Sequence, residues 1–156
     1  MSLHERVAAY QSATQYFLNL AVGTPEGLLD VRHENGWSAR QVIHHMADSE
    51  AQSYARLRRL IAEPEGSVIQ GYDESAWANC VELGYIDAPV QNSVAVFAAV
   101  RASSLDLLKR ISEEDLKKFG THTESGKFTV DKWLDGYTQH PHDHGDQLVR
   151  ATKGQE

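Results

Sequence analysis

Apolar and small residues recur at intervals of three and four along four long stretches of the chain, the period of helices that each bury one face. The first stretch runs from about Leu3 to Val22, with Val7, Tyr10, Ala13, Thr14, Phe17, Leu20 and Ala21 on one stripe, and Gly23-Thr24-Pro25 ends it. The second begins after Ser38, a good N-cap, and carries Val42, Ile43, Met46, Ala47, Tyr54, Leu57, Leu60 and Ile61 to about Glu63, where Pro64 and Gly66 stop it. Val90, Val94, Phe97, Arg101, Ser104, Leu105, Leu108 and Ile111 mark the third, which is expected to stop around Ser112 to Leu116. Thr129 caps the fourth, whose stripe reads Val130, Trp133, Leu134, Tyr137, His140, Pro141, His144, Leu148 and Ala151.

Between these stretches the pattern weakens. Glu65 to Pro89 holds no sustained period, apart from a short helical turn that Asp73 could cap over Asp73-Glu74-Ser75-Ala76-Trp77, and a connection of that length in a small domain tends to be functional or mobile. Gly120 to Lys127 is rich in turn residues; a Phe119 to Phe128 hairpin is only weakly signalled, and no segment reads convincingly as a strand. No repeat of 20 to 50 residues and no low-complexity segment is present. The pattern predicts an all-α protein, a four-helix bundle forming one domain over residues 1–156.

Composition narrows the function. With 156 residues and 41% hydrophobic positions, the chain can build a core without disulfides or a structural metal, so a metal would be free to serve chemistry. The formal charge of -7 gives little support for binding nucleic acid or anionic membranes. Cys80 is the single cysteine, which excludes an internal disulfide and thiol-rich zinc sites. The first residues lack a signal-peptide pattern and no window reaches a membrane span, so a soluble protein of the reducing cytoplasm acting on a small molecule is expected.

The informative excess is histidine: eight in all, with His44, His45, His140, His142 and His144 in two groups. At about 100° per residue, His140 and His144 stand one turn apart inside the apolar stripe, whereas His142 falls on the opposite side and is expected to face solvent. Two imidazoles at i and i+4 can reach one metal, as in the zinc-protease helix motif, but Pro141 stands where that motif has its glutamate, so the protease reading fails while the chelating spacing survives. A third ligand would come from the second helix, and the helical wheel does not choose between His44 and His45, which flank its stripe symmetrically.

The run Trp37-Ser38-Ala39-Arg40-Gln41-Val42-Ile43-His44-His45-Met46-Ala47-Asp48-Ser49-Glu50, followed far downstream by His140, His144, Gln147 and Leu148, resembles the DinB superfamily. With Tyr72-Asp73-Glu74-Ser75-Ala76-Trp77-Ala78 it looks most like the YfiT type, described as bacillithiol S-transferases or metal-dependent hydrolases. The resemblance implies a four-helix bundle, frequently dimeric, with a three-histidine site for zinc, nickel or a similar divalent ion. It places the first ligand eight residues after the tryptophan, at His45, and so makes His45, His140 and His144 the implied triad. Asp48 and Gln147, three residues after His45 and His144, are candidates to orient the ligand rings. Trp37 reads as a packing aromatic, Asp143 as a surface group, and Tyr54, Tyr72 and Trp77 as residues that could wall a pocket. Two features depart from relatives: Pro141, which removes a backbone donor to Tyr137 and could kink the helix at the site, and Gly145-Asp146, which leaves substrate preference open.

Such a site can activate water for hydrolysis or deprotonate a thiol for transfer to an electrophile. The resemblance favours a low-molecular-weight thiol as co-substrate, since Cys80 lies in the middle connection and makes a poor nucleophile. Hydrolysis of an amide or ester is the alternative. A third reading is an inactive bundle that serves as a dimerising or stress-response module. Imidazole ligands alone do not name the metal.

Overall fold

A computed structural model describes residues 1–156, and four of its five α-helices begin where short polar side chains satisfy the free N–H groups of the first turn, the exception being the helix that follows Val90. Helix α1 spans Leu3–Gly23 and α2 spans Ala39–Ala62. Ser38 caps α2 reciprocally, its hydroxyl accepting from the Gln41 amide at 3.2 Å while Gln41 Oε1 accepts from the Ser38 amide at 2.8 Å. A short α3, Glu74–Asn79, starts at Asp73, whose carboxylate accepts from the Ala76 amide at 2.9 Å. Helix α4 covers Gln91–Leu108, stopping short of the Ser112 to Leu116 expected from its stripe, and a separate 3-10 turn follows at Glu114–Lys117. Thr129 caps α5, Val130–Thr152, accepting from the Lys132 amide at 3.1 Å.

The expectation of no convincing strand is corrected by a small three-stranded sheet: β1 at Val68–Ile69, β2 at Phe119–His122 and β3 at Gly126–Thr129. Strands β2 and β3 form the weakly signalled hairpin, antiparallel with Gly120 opposite Phe128, and β1 joins β2 in parallel with Val68 opposite Thr121. Each strand is too short to show alternation, and the parallel partner comes from a distant segment, so neither signal exists locally in the sequence. Gly120 permits the pairing: a Cβ there would stand 2.6 Å from the Ser67 carbonyl oxygen and 2.7 Å from Ile69 Cγ1.

Among the long helices, α1 packs against α4 and α5, and α2 packs against the same two. Helices consecutive in sequence, α1 with α2 and α4 with α5, therefore lie across the diagonals of the bundle rather than side by side. The long connections 24–38, 63–90 and 109–129 make this crossing possible. The arrangement sets α2 directly beside α5, which brings the two histidine groups together.

The interior is apolar at both ends and polar in the middle. One cluster gathers Val7, Tyr10, Leu57, Leu108, Trp133 and Leu134, and the other Phe17, Val42, Ile43, Met46, Phe97 and Leu148. Between them along the helices lie Glu50, Ser53, Arg101 and Ser104, all fully buried, at the level of Thr14 and His140. Arg101, in the apolar stripe of its helix, is the hub of this layer. It pairs with Glu50 at 3.0 Å and donates to Thr14 Oγ1 at 2.8 Å, to the Tyr10 carbonyl at 3.1 Å and to the Tyr137 carbonyl at 2.6 Å. No helix is long and apolar enough to cross a membrane.

Candidate metal centre

Histidines 45, 140 and 144 converge above the polar layer. Each offers a ring nitrogen such that the three lie within 4.8 Å of one another, with His45 from α2 and the other two from successive turns of α5. The ring centroids stand 4.6 Å apart for His45 and His144, 5.4 Å for His45 and His140, and 4.3 Å for His140 and His144.

The choice that the helical wheel left open is decided by hydrogen bonding. His44 spends both nitrogens on structure: Nε2 lies 3.0 Å from the Ala88 carbonyl, which can only accept, and Nδ1 lies 2.7 Å from the Ser93 hydroxyl. It anchors the middle connection to the start of α4 and has no lone pair left. His45 is the opposite case, only 1% exposed with neither ring nitrogen hydrogen-bonded, and His140 Nδ1 is likewise buried without a partner. His144 Nδ1 lies 2.7 Å from Gln147 Oε1; with that oxygen accepting, the proton sits on Nδ1 and the Nε2 lone pair is free.

Burial keeps these rings neutral. Desolvation, with His144 beside it, lowers His45 to about 4, and desolvation with the neighbouring rings and Arg101 lowers His140 to about 2. His144 is also lowered by burial, against the hydrogen bond to Gln147 and the charge of Glu74. Three neutral imidazoles bring nitrogens together at one point, and the buried, unpartnered nitrogens of His45 and His140 are costly unless something accepts their lone pairs; a divalent cation does so. The residues present fit a metal.

Other expected residues fall as follows. Asp48 does not touch His45; its carboxylate accepts from the Tyr85 hydroxyl at 2.7 Å, which fixes the middle connection over α2. Trp37 packs on the second core cluster and stands edge-to-face with His45 at 5.2 Å between ring centroids. Tyr72 lines the cavity beside His140, with Trp77 behind it at 4.6 Å between centroids. Tyr54 lines no cavity at the centre and instead lies under the Arg58 guanidinium. His142, expected to face solvent, is half-buried because its ring lies tilted against Tyr16 at 5.0 Å between centroids, and Asp143 accepts from the exposed Gln139. Cys80 lines neither cavity and points its thiol at Glu82.

Helix α5 runs on through Pro141. The proline lacks the N–H that would bond the Tyr137 carbonyl, and Arg101 takes that carbonyl from across the bundle. The turn that carries His140 is therefore held by a guanidinium instead of by its own helix. Gly145 lets α1 approach, since a Cβ there would meet Tyr16 Cε1 at 2.6 Å, and the Tyr16 hydroxyl bonds the neighbouring Asp146.

Two cavities open onto the centre. One, of about 320 Å³, touches His140 and is walled by Arg56, Tyr72, Glu74, His122 and Lys132. The other, of about 390 Å³, touches His45 and His144 and is walled by Trp37, Glu74, Gln147 and Arg150. Glu74 lines both. Neither it nor Tyr85 stood out in the sequence as a site residue, because only the fold of 63–90 lays them over the histidines.

Comparison with known proteins bears on the family and the fold. A protein from Oceanobacillus iheyensis named "Putative metal-dependent hydrolase" is 32% identical over 143 residues, covering 91% of this chain and 81% of its own. YfiT from Bacillus subtilis, of the same printed name, is 28% identical over 91% of this chain and 75% of its own. The solved structure of YfiT, described as "a probable metal-dependent hydrolase with an unusual four-helix bundle topology", superimposes with a TM-score of 0.84 at 25% identity, over 97% of this chain and 86% of that one. The family model of the DinB superfamily matches residues 9–148, and the chain belongs to that superfamily.

Proposed function

We propose that the chain is a divalent-metal-dependent enzyme that transfers a low-molecular-weight thiol to an electrophilic small molecule, with His45, His140 and His144 as the protein ligands. The observation that carries this reading is the pair of cavities, one reaching His140 and the other His45 and His144. A transfer between two molecules needs two binding places that meet at one reactive centre. Hydrolysis needs one, with water as the second reactant.

When bound, the ion supplies a Lewis acid that lowers the pKa of a thiol or of water. The chain supplies the rest. Gln147 holds the His144 tautomer, and Trp37 covers the His45 side. Glu74 is the one carboxylate common to both cavities and sets a negative charge beside each bound reactant. Arg56, Lys132 and Arg150 give both cavities charged walls suited to polar reactants.

The test has two steps. Protein purified without affinity tag or chelator is expected to hold close to one divalent ion per chain by elemental analysis, and His45→Ala and His144→Ala are expected to hold none. Loaded protein is then offered epoxides or alkyl halides with and without small thiols; consumption that requires the thiol supports transfer, and none with any thiol sinks it. The second reading, hydrolysis, is favoured by the names of the relatives. It would be adopted if esters or amides turned over with no thiol present. Absence of metal even after zinc and nickel are supplied would reject both in favour of an inactive bundle.

A further inference from the structure

We infer that the cavity against His140 is the recognition site for the amino-acid head of one reactant, a small zwitterion whose carboxylate is gripped by Arg56 and whose ammonium group is met by Glu74 and Glu124. The inference rests on the transfer reading and names the chemical class of one of its two reactants.

The lining carries two cations, Arg56 and Lys132, and two carboxylates, Glu74 and Glu124. None of the four belongs to an ion pair within the chain, so both signs of charge face the cavity without an internal partner. A lining of balanced charge disfavours a dianion or a dication, either of which would leave two like charges facing it. A molecule with one charge of each sign satisfies both pairs.

Arg56 is positioned as a receptor rather than a surface solubiliser. Its Nη1 donates to the Tyr137 hydroxyl at 3.1 Å and its Nη2 to the Gln70 carbonyl at 2.9 Å, which fixes the plane of the guanidinium. Its Nε is buried with no hydrogen-bond partner. A guanidinium held by neutral acceptors keeps its full charge for a planar anion, and a carboxylate is the group whose geometry matches it. Tyr137 lies one turn before His140 on α5, so a head group bound at Arg56 places the rest of the molecule towards the histidine centre. A volume of about 320 Å³ is at the small end of ligand pockets and suits a molecule of amino-acid size with one extension.

The probe is S-methyl-L-cysteine, whose blocked sulfur weakens any direct metal contact, compared with its methyl ester, which lacks the carboxylate, and its N-acetyl derivative, which lacks the ammonium group. Binding is followed by NMR line broadening of the probes. The free amino acid is expected to bind at least tenfold more tightly than either derivative. Arg56→Gln should abolish the preference over the ester, Arg56→Lys should restore part of it, and Glu74→Gln with Glu124→Gln should abolish the preference over the N-acetyl compound. The same preferences should persist in His45→Ala, which removes a metal ligand outside this cavity. Equal binding of acid and ester, or indifference to Arg56→Gln in a variant with an unchanged melting profile, would overturn the inference. So would loss of all binding in His45→Ala, which would mean that the probe was held by the metal. Failure of the wild-type chain to retain metal strikes the transfer reading instead, and is read separately by elemental analysis.

Discussion

His44 and His45 are neighbours in sequence with opposite fates, because about 100° of helical rotation sends one to the middle connection and the other to α5. His45→Ala is expected to abolish metal binding. His44→Ala should leave metal binding intact and cost about 1–2 kcal/mol in urea unfolding through the lost bonds to Ser93 and Ala88. If His44→Ala instead loses the metal, the assignment of the triad is wrong. Burial also gives these residues a pH signature in chelator-treated protein. His45 and His140 sit at about 4 and about 2 when folded, against about 6.5 in the unfolded chain, so the unfolded state binds more protons below that value. Stability should therefore fall as pH drops below about 6.5, by up to about 1.4 kcal/mol per pH unit for each group, until the folded rings themselves protonate. Urea titrations at pH 5 and pH 7 check this, and His45→Ala should flatten the dependence.

At the scale of the element, α5 contains a proline that local propensity would exclude, and the exclusion fails because the orphaned carbonyl has a partner in Arg101. Arg101→Met should cost about 3–5 kcal/mol, since Glu50 would be left charged and unpaired in the core. In a Pro141→Ala background the helix recovers its own donor to Tyr137, so the same substitution should cost about 1 kcal/mol less. Additive costs in denaturant unfolding of the four proteins would show that the carbonyl does not couple the two residues. In the sheet, Gly120→Ala should destabilise by about 1–3 kcal/mol, because the added methyl meets the backbone of Ser67 and cannot be relieved by a rotamer change.

At the scale of the whole molecule, the diagonal placement of consecutive helices builds one centre from α2 and α5, which are separated in sequence by residues 63–129. A ligand bound only by that assembled state stabilises all of it. Zinc or nickel at a hundredfold excess over Kd should add about 2.7 kcal/mol, and at roughly 2–4 °C per kcal/mol for a chain of this size the melting temperature should rise by about 5–11 °C. A chelator should reverse the shift, and His144→Ala should not show it. A shift that survives in His144→Ala would place the ion elsewhere.

The four long helices, the caps of two of them at Ser38 and Thr129, the short turn capped by Asp73, and the chelating spacing of His140 and His144 were legible from sequence because each is a local property of period, capping or helical rotation. Family resemblance singled out His45 where periodicity could not. Apart from that implied triad, what depends on segments far apart in the chain came only with the tertiary structure. The parallel pairing of Val68 with Thr121, the crossing of the helices, the rescue of the Tyr137 carbonyl by Arg101 and the laying of Glu74 over two cavities each join groups with no sequence pattern linking them. The same holds for Asp48, whose spacing from His45 suggested a bond to that ring, but whose carboxylate meets the Tyr85 hydroxyl brought in by the middle connection. Helical spacing says which side chains share a face; which partner reaches that face first is a matter of packing.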